Sequence, residues 1–155
     1  MALENTGKIE KAKEQYLLAL NPNFKDTSYG RAATCNKLAI LYFNEGEDSI
    51  AIKWLNKAIE FNPDYNRTYY HFGLYYYIRA NKNKIIMDYY NSYAFLITAL
   101  TRSNGSYPKA NLLISKIFLE LNKKKLAKKY ARKAIKQGIK DELIEEAKYI
   151  IKVSN

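Results

Sequence analysis

Three observations predict an all-α chain built from antiparallel helix pairs. Pro and Gly are scarce, three and six residues in a chain of 155, and they gather at a few breaks. Between the breaks the apolar residues recur at helical rather than alternating spacing. One stretch of small and large residues then recurs further along the chain in register, the mark of a repeat architecture.

The breaks are Asn21-Pro22, Asn62-Pro63, Asn104 to Pro108, and Gly138. They divide the chain into eight expected helices. The first, over 6–20, carries Ala12, Tyr16 and Ala19, with Gly7 at a turn position. The second, 30–44, carries Leu38, Ala39 and Tyr42. The third, 48–61, carries Ala51, Leu55 and Ala58 and stops before Pro63. The fourth, 67–80, contains Tyr75-Tyr76-Tyr77, whose flanks fit a helix better than a strand. The fifth and sixth span 83–102 and 107–121. The seventh, 123–137, has one stripe of Leu126, Ala127, Tyr130, Ala131, Ala134 and Ile135. The eighth, 141–152, is opened by Asp141 and Glu142 as cap and first-turn acid. The connections are short, so neighbouring helices pack as hairpins.

The repeat is seen by self-comparison. Leu38, Ala39 and Tyr42 recur as Phe72, Gly73 and Tyr76, then as Ile114, Ser115 and Phe118. Ala51, Leu55 and Ala58 recur as Ser92, Leu96 and Ala99, then as Ala127, Ala131 and Ala134. Tyr69-x2-Phe72-Gly73-x2-Tyr76 places an aromatic, a small residue and an aromatic on one helix, and Gly46 falls at the inter-helix turn. This pattern resembles the tetratricopeptide repeat, a helix pair of 34 residues. The resemblance implies a right-handed superhelical array forming one domain over 1–155. It comprises a half repeat at 6–20, repeats at 32–65, 66–106 and 108–140, and a capping helix at 141–152.

Departures from the pattern carry expectations of their own. The segment 1–20 reads as the remnant of a longer array, with Leu3, Ile9, Ala12, Tyr16 and Ala19 sharing an uncovered face. The third unit holds seven extra residues between Tyr76 and Ser92. In Asn81–Tyr93 the residues Ile85, Ile86, Tyr89, Tyr90 and Tyr93 form a stripe expected to project as a ridge. Glu145, Glu146, Lys148 and Lys152 are expected on the outer face of the capping helix, which keeps an array soluble.

Enzyme chemistry finds little to stand on. The chain has one Cys and one His. It shows no Gly-rich phosphate loop, no Ser/His/Asp set and no metal-ligand cluster, so no catalytic residue, cofactor or metal is expected. Cys35 takes the slot of the family's tryptophan and reads as a packing thiol. Asn66-Arg67-Thr68 and Asn104-Gly105-Ser106 match the glycan acceptor pattern but sit where repeats turn. No apolar run approaches the ~18 residues of a membrane span. With Glu4 and Glu10 near the start and no long apolar core, a cytoplasmic location is expected; a removed upstream segment would make it periplasmic or membrane-tethered.

In the family the first helices line an inner groove. Carried over, the lining is Ala33, Asn36, Ile40 and Phe43, then Arg67, Tyr70, Leu74 and Tyr77, with His71 next to Tyr70 in the chain, then Lys109, Leu112, Lys116 and Leu119. This lining is aromatic and aliphatic with basic groups and no acid. It suits a partner peptide or helix with apolar anchors and acidic groups. Alternatively, Tyr70 and Tyr77 pack against a neighbouring helix. The family's clamp for a peptide's terminal carboxylate is not matched: Ile40, His71 and Leu113 stand at its other positions, and only Lys109 fits. The implied function is a non-catalytic scaffold or adaptor. The alternative is a basic module for nucleic acid or an anionic membrane, because the net charge is +11 and the segment 121–140 holds nine cations and no acid. Its patch is Lys124, Lys125, Lys128, Lys129, Arg132, Lys133 and Lys136. Self-association through the half repeat or the 81–93 insertion is a further expectation.

Overall fold

The computed structural model describes residues 2–23 and 25–154, with side chains described from Gly7 onward. The side chain of Leu3 lies outside the described residues. Among them are eight helices and no strand. They are α1 (Ala2–Ala19), α2 (Ser28–Asn44), α3 (Asp48–Phe61), α4 (Asn66–Asn83), α5 (Ile86–Thr101), α6 (Pro108–Glu120), α7 (Lys124–Lys136) and α8 (Asp141–Val153). Contacts divide the chain into two compact units, Met1–Thr68 and Tyr69–Asn155, so the division falls in the first turn of α4.

In the first unit α2 and α3 form the expected hairpin. Thr27 caps α2, its Oγ1 accepting from the Gly30 N–H at 3.0 Å. The turn is made at Gly46, whose φ of 81° favours a residue without a Cβ. Ala39, Ala51 and Ala58 let the helices approach, and Leu38 and Leu55 fill the interface with no exposure. Burying each leucine stabilises the fold by about 1.5–3 kcal/mol. Cys35 lies in the same core, and burial pushes its thiol up to about 11, so it packs rather than reacts.

Helix α1 starts at Ala2, and Gly7 lies inside it rather than at a turn. One interior glycine costs a helix only about 1 kcal/mol, and no proline stops the chain there. Lys13 is buried and donates to both oxygens of Glu45, at 2.6 and 2.5 Å, and to Glu10 at 2.8 Å. That bond ties α1 to the end of α2. Of the face expected to lie bare, Ile9, Ala12 and Tyr16 are half-buried and Ala19 is exposed. Among the described residues of α1, the exposed large apolar side chains are Leu17 and Leu18.

In the second unit α4 and α5 cross at Gly73. The Ser92 hydroxyl donates to the Gly73 carbonyl at 2.6 Å, and Phe72 stacks on Phe95 at 4.8 Å between ring centres. A Cβ on Gly73 would stand 2.6 Å from Leu96 Cγ, inside any permissible contact. The core continues through Leu96, Ile114, Ile117, Ala127, Ala131 and Ala134 to Ala147 and Ile150 of α8. Asn111 donates to Gln137 at 2.6 Å, and Gln137 donates to the Gly105 carbonyl at 2.8 Å, lacing the α5–α6 link to the end of α7.

The seven added residues are shared between two helices. Gly46, Lys84 and Asn122 take the same left-handed turn position, with φ of 81°, 57° and 55°. From the small crossing residue to this turn, α4 gains four residues over α2 and α6; from the turn to the next small residue, α5 gains three over α3 and α7. Each helix therefore lengthens by about one turn, roughly 5–6 Å. The expected continuous ridge is split: Tyr89 is buried and donates to Asn81 at 3.0 Å, and Tyr93 is half-buried against Phe118. Ile85, Ile86 and Tyr90 remain exposed. Between the two helices Arg79 grips the buried Asp88 through two bonds of 2.6 Å.

The N-cap of α8 is Lys140; Asp141 and Glu142 occupy its first turn, where the helix dipole favours acids. Glu145 and Lys148 pair on the exposed side at 2.7 Å, and Lys152 is exposed. Glu146 does not join them on the outer face; it turns toward α6.

Candidate functional site

The second unit carries a depression of about 140 Å³ built from three helices. Helix α4 contributes Tyr70, Leu74, Tyr77 and Ile78, one turn apart along a single face. Helix α6 contributes Lys109, Leu112, Leu113 and Lys116, and α8 adds Leu143 and Glu146. Six of the expected lining residues, Tyr70, Leu74, Tyr77, Lys109, Leu112 and Lys116, are thus brought together.

The aromatic wall is pre-positioned. Tyr70 packs on Tyr107 at 5.2 Å and on His71 at 5.6 Å between ring centres. Tyr77 lies 6.2 Å from Tyr89. Both Tyr70 and Tyr77 are half-buried, so they pack on neighbouring rings and still face the depression. Burial, and secondarily the Glu146 charge, raises the Tyr70 phenol; burial does the same for Tyr77. Both stay neutral at physiological pH and offer hydroxyls beside an apolar floor.

The lining is not free of acid. Glu146 pairs with Lys116 at 2.5 Å, with 38% and 28% of their side chains exposed. A pair this wet contributes little to stability, about 1 kcal/mol or less. It does hold the Lys116 ammonium at the rim, beside the exposed Lys109. Sequence reasoning missed Leu143, Glu146, Ile78 and Leu113. The signal for the α8 pair was its spacing, since Leu143 and Glu146 stand three apart on one face.

Of the other expected residues, His71 lies in the second unit, half-buried on Tyr70 and not among the residues lining the depression, while Asn36, Ile40, Phe43 and Arg67 belong to the first unit. Asn36 is a correction: it is enclosed, not groove-lining. Its amide donates to the Ala32 carbonyl at 2.9 Å and to the Thr68 hydroxyl at 2.7 Å. The Ala32 carbonyl and the Thr68 hydroxyl offset the cost of burying its amide nitrogen. Ile40 is exposed and Phe43 half-buried one turn on, and Arg67 is exposed at the start of α4.

On α7 the small stripe Ala127, Ala131 and Ala134 faces the core, and Tyr130 packs on Phe118 at 5.6 Å. Burial, then the neighbouring Tyr93, pushes the Tyr130 phenol up to about 12. Lys124, Lys125, Lys129, Arg132, Lys133 and Lys136 are exposed, and Lys128 is half-buried. Among the described residues no three His, Cys, Asp or Glu side chains gather as a metal site would require, and no helix is long and apolar enough to cross a membrane.

A family profile described as "Uncharacterized protein conserved in bacteria (DUF2225)" matches residues 3–143. The chain belongs to that family. No curated protein matches this DUF2225 chain in sequence. Solved structures do match it in fold. The N-terminal domain of stress-induced protein-1 (STI-1) from C. elegans superposes with a TM-score of 0.64 at 16% identity, covering 81% of this chain and 98% of that one. The first TPR of Spaghetti (RPAP3), bound to the HSP90 peptide SRMEEVD, gives 0.61 at 19% identity, covering 82% and 95%. Pseudomonas aeruginosa pilF gives 0.65 at 19% identity, covering 99% and 72%. The fold of this DUF2225 chain is the tetratricopeptide-repeat fold that its internal register resembles.

Proposed function

We propose that the chain is a non-catalytic interaction scaffold whose second unit takes a peptide or helix of a partner protein in the α4–α6–α8 depression. The observation that carries this reading is the juxtaposition of a tyrosine wall, an aliphatic floor and two rim ammonium groups in one concavity. An apolar or aromatic anchor from the partner would lie against Tyr70, Leu74 and Tyr77. A partner carboxylate would take Lys116 from Glu146, exchanging one wet ion pair for another while the anchor is buried. The Spaghetti TPR structure holds a peptide rich in acidic residues, which supports the same kind of ligand here. Fold alone does not name the partner; the site chemistry supports one with an apolar or aromatic anchor and a carboxylate.

The test is affinity for a pool of peptides with acidic and aromatic residues, measured by fluorescence polarisation. Tyr70→Ala with Tyr77→Ala should weaken the best binder by about 1–3 kcal/mol, the size of an anchor contact. Glu146→Gln should tighten an acidic peptide, because Lys116 is then no longer occupied. A folded double-tyrosine variant with unchanged affinity, or a Glu146→Gln variant that binds acidic peptides more weakly, would remove this depression as the site.

A further inference from the structure

The tip of the α4–α5 hairpin ends in an apolar cap. Ile85, Ile86 and Met87 follow the turn at Lys84, and Ile86 and Met87 are 63% and 64% exposed. Tyr90, one turn further along, is also exposed, and Lys123 Nζ lies 5.7 Å from the centre of its ring. That contact joins the tip to the α6–α7 turn. Lys82 and Lys84 flank the apolar cap on one side, and Lys123, Lys124 and Lys125 on the other; all five are exposed. Of the two acids in these segments, Asp88 is buried and neutralised by Arg79, which leaves Glu120 as the exposed one.

We propose that this edge docks the chain on an anionic lipid bilayer. Ile86 and Met87 enter the boundary between headgroups and acyl chains, and the flanking lysines lie on lipid phosphates. Exposed aliphatic side chains grouped at one tip mark an interaction surface rather than an ordinary exterior. Because α4 and α5 are each about a turn longer than α6 and α7, the cap protrudes beyond the adjacent turn. A protrusion suits a soft interface that closes around it, whereas a peptide anchor needs a concavity. Charge selects the partner: five exposed cations against one exposed acid favour an anionic surface, and they disfavour a second copy, which would bring like charge to like. A tyrosine at the base of the cap fits headgroup depth. The surface is the turn edge, not the outer face of α7, and it does not use Tyr70 or Tyr77.

Sedimentation of the full chain with vesicles tests this. One set is phosphatidylcholine alone; the other contains about one-third phosphatidylglycerol. The chain should pellet with the anionic vesicles only, and less so as salt rises. Ile86→Ser with Met87→Ser should lower that partitioning about tenfold through lost apolar insertion. Lys84→Gln, Lys123→Gln and Lys124→Gln together should lower it and flatten the salt dependence. Leu17→Ser with Leu18→Ser, on the exposed face of α1, should leave it unchanged. All these positions are exposed, and circular dichroism checks that each variant is folded. The proposal is overturned by absence of vesicle binding, by equal binding to neutral vesicles, or by full binding of the Ile86→Ser/Met87→Ser variant. It also fails if the α1 variant loses binding, or if an acidic polypeptide but no vesicle engages the tip.

Discussion

Gly73 shows how one atom sets the spacing of a helix pair. Its α-carbon faces Leu96, which is fully buried, and the Ser92 hydroxyl bonds to its carbonyl. Alanine is the better helix former by about 1 kcal/mol, so propensity alone favours Gly73→Ala. Packing opposes it, because the new methyl would meet Leu96 Cγ and Cδ2 at 2.6 and 2.8 Å. Overpacking of this kind costs about 1–3 kcal/mol, and the clash with the branch carbon Cγ places it in the upper part of that range, so after the propensity gain the variant should be less stable by roughly 1–2 kcal/mol in a urea titration. A stabilised Gly73→Ala would show that α4 and α5 separate without cost. Ala39 and Ser115 occupy the same register and carry a Cβ, so the other two crossings accommodate the atom that Leu96 excludes at Gly73.

At the scale of the element, the long α4–α5 hairpin needs something to hold its extra turns. The Arg79–Asp88 pair does this with two short bonds, and the carboxylate is almost wholly enclosed. The guanidinium bonds, ahead of the opposing effect of burial, hold the Asp88 carboxyl below the usual carboxylate range. A lowered folded value means that this contribution is complete above the ordinary aspartate value near 4. It is lost as pH falls through the folded value. Asp88→Asn should therefore cost about 2 kcal/mol at pH 7, less than the roughly 3–5 kcal/mol of a fully buried broken pair, because Arg79 keeps partial contact with water. The gap between variant and parent should close in acid. Thermal melts of both chains from pH 7 down to pH 3 read this directly. A gap that widens in acid would contradict the assigned role.

At the scale of the whole molecule the charge is uneven. The chain carries +11, and nine of its cations lie between Lys123 and Lys140. Like charges so placed repel one another in the folded state. The Debye length falls from about 30 Å at 0.01 M salt to about 8 Å at 0.15 M. Raising sodium chloride over that range should raise the melting temperature by about 2–4 °C, the equivalent of roughly 1 kcal/mol. A falling melting temperature would mean that the ion pairs of Lys13, Arg79 and Lys116 outweigh the repulsion.

The eight helices and the repeat were legible in the residues because both are local or periodic. A small residue every turn and a break every hairpin leave a record within a few positions, and recurrence multiplies it. So Ala39, Gly73 and Ser115 were read correctly as one structural position, and Cys35 as a packing thiol. Half of the depression was legible for the same reason, since Tyr70, Leu74 and Tyr77 share a helical face. What the residues did not disclose are encounters between distant segments. Lys116 meets Glu146 only because α8 packs on α6. Asn36 finds Thr68 32 positions on. The seven-residue insertion is divided four and three because a turn must stay in register with both helices it joins. Periodicity states which side of a helix is apolar; which polar group on a neighbouring helix then faces it is settled by packing.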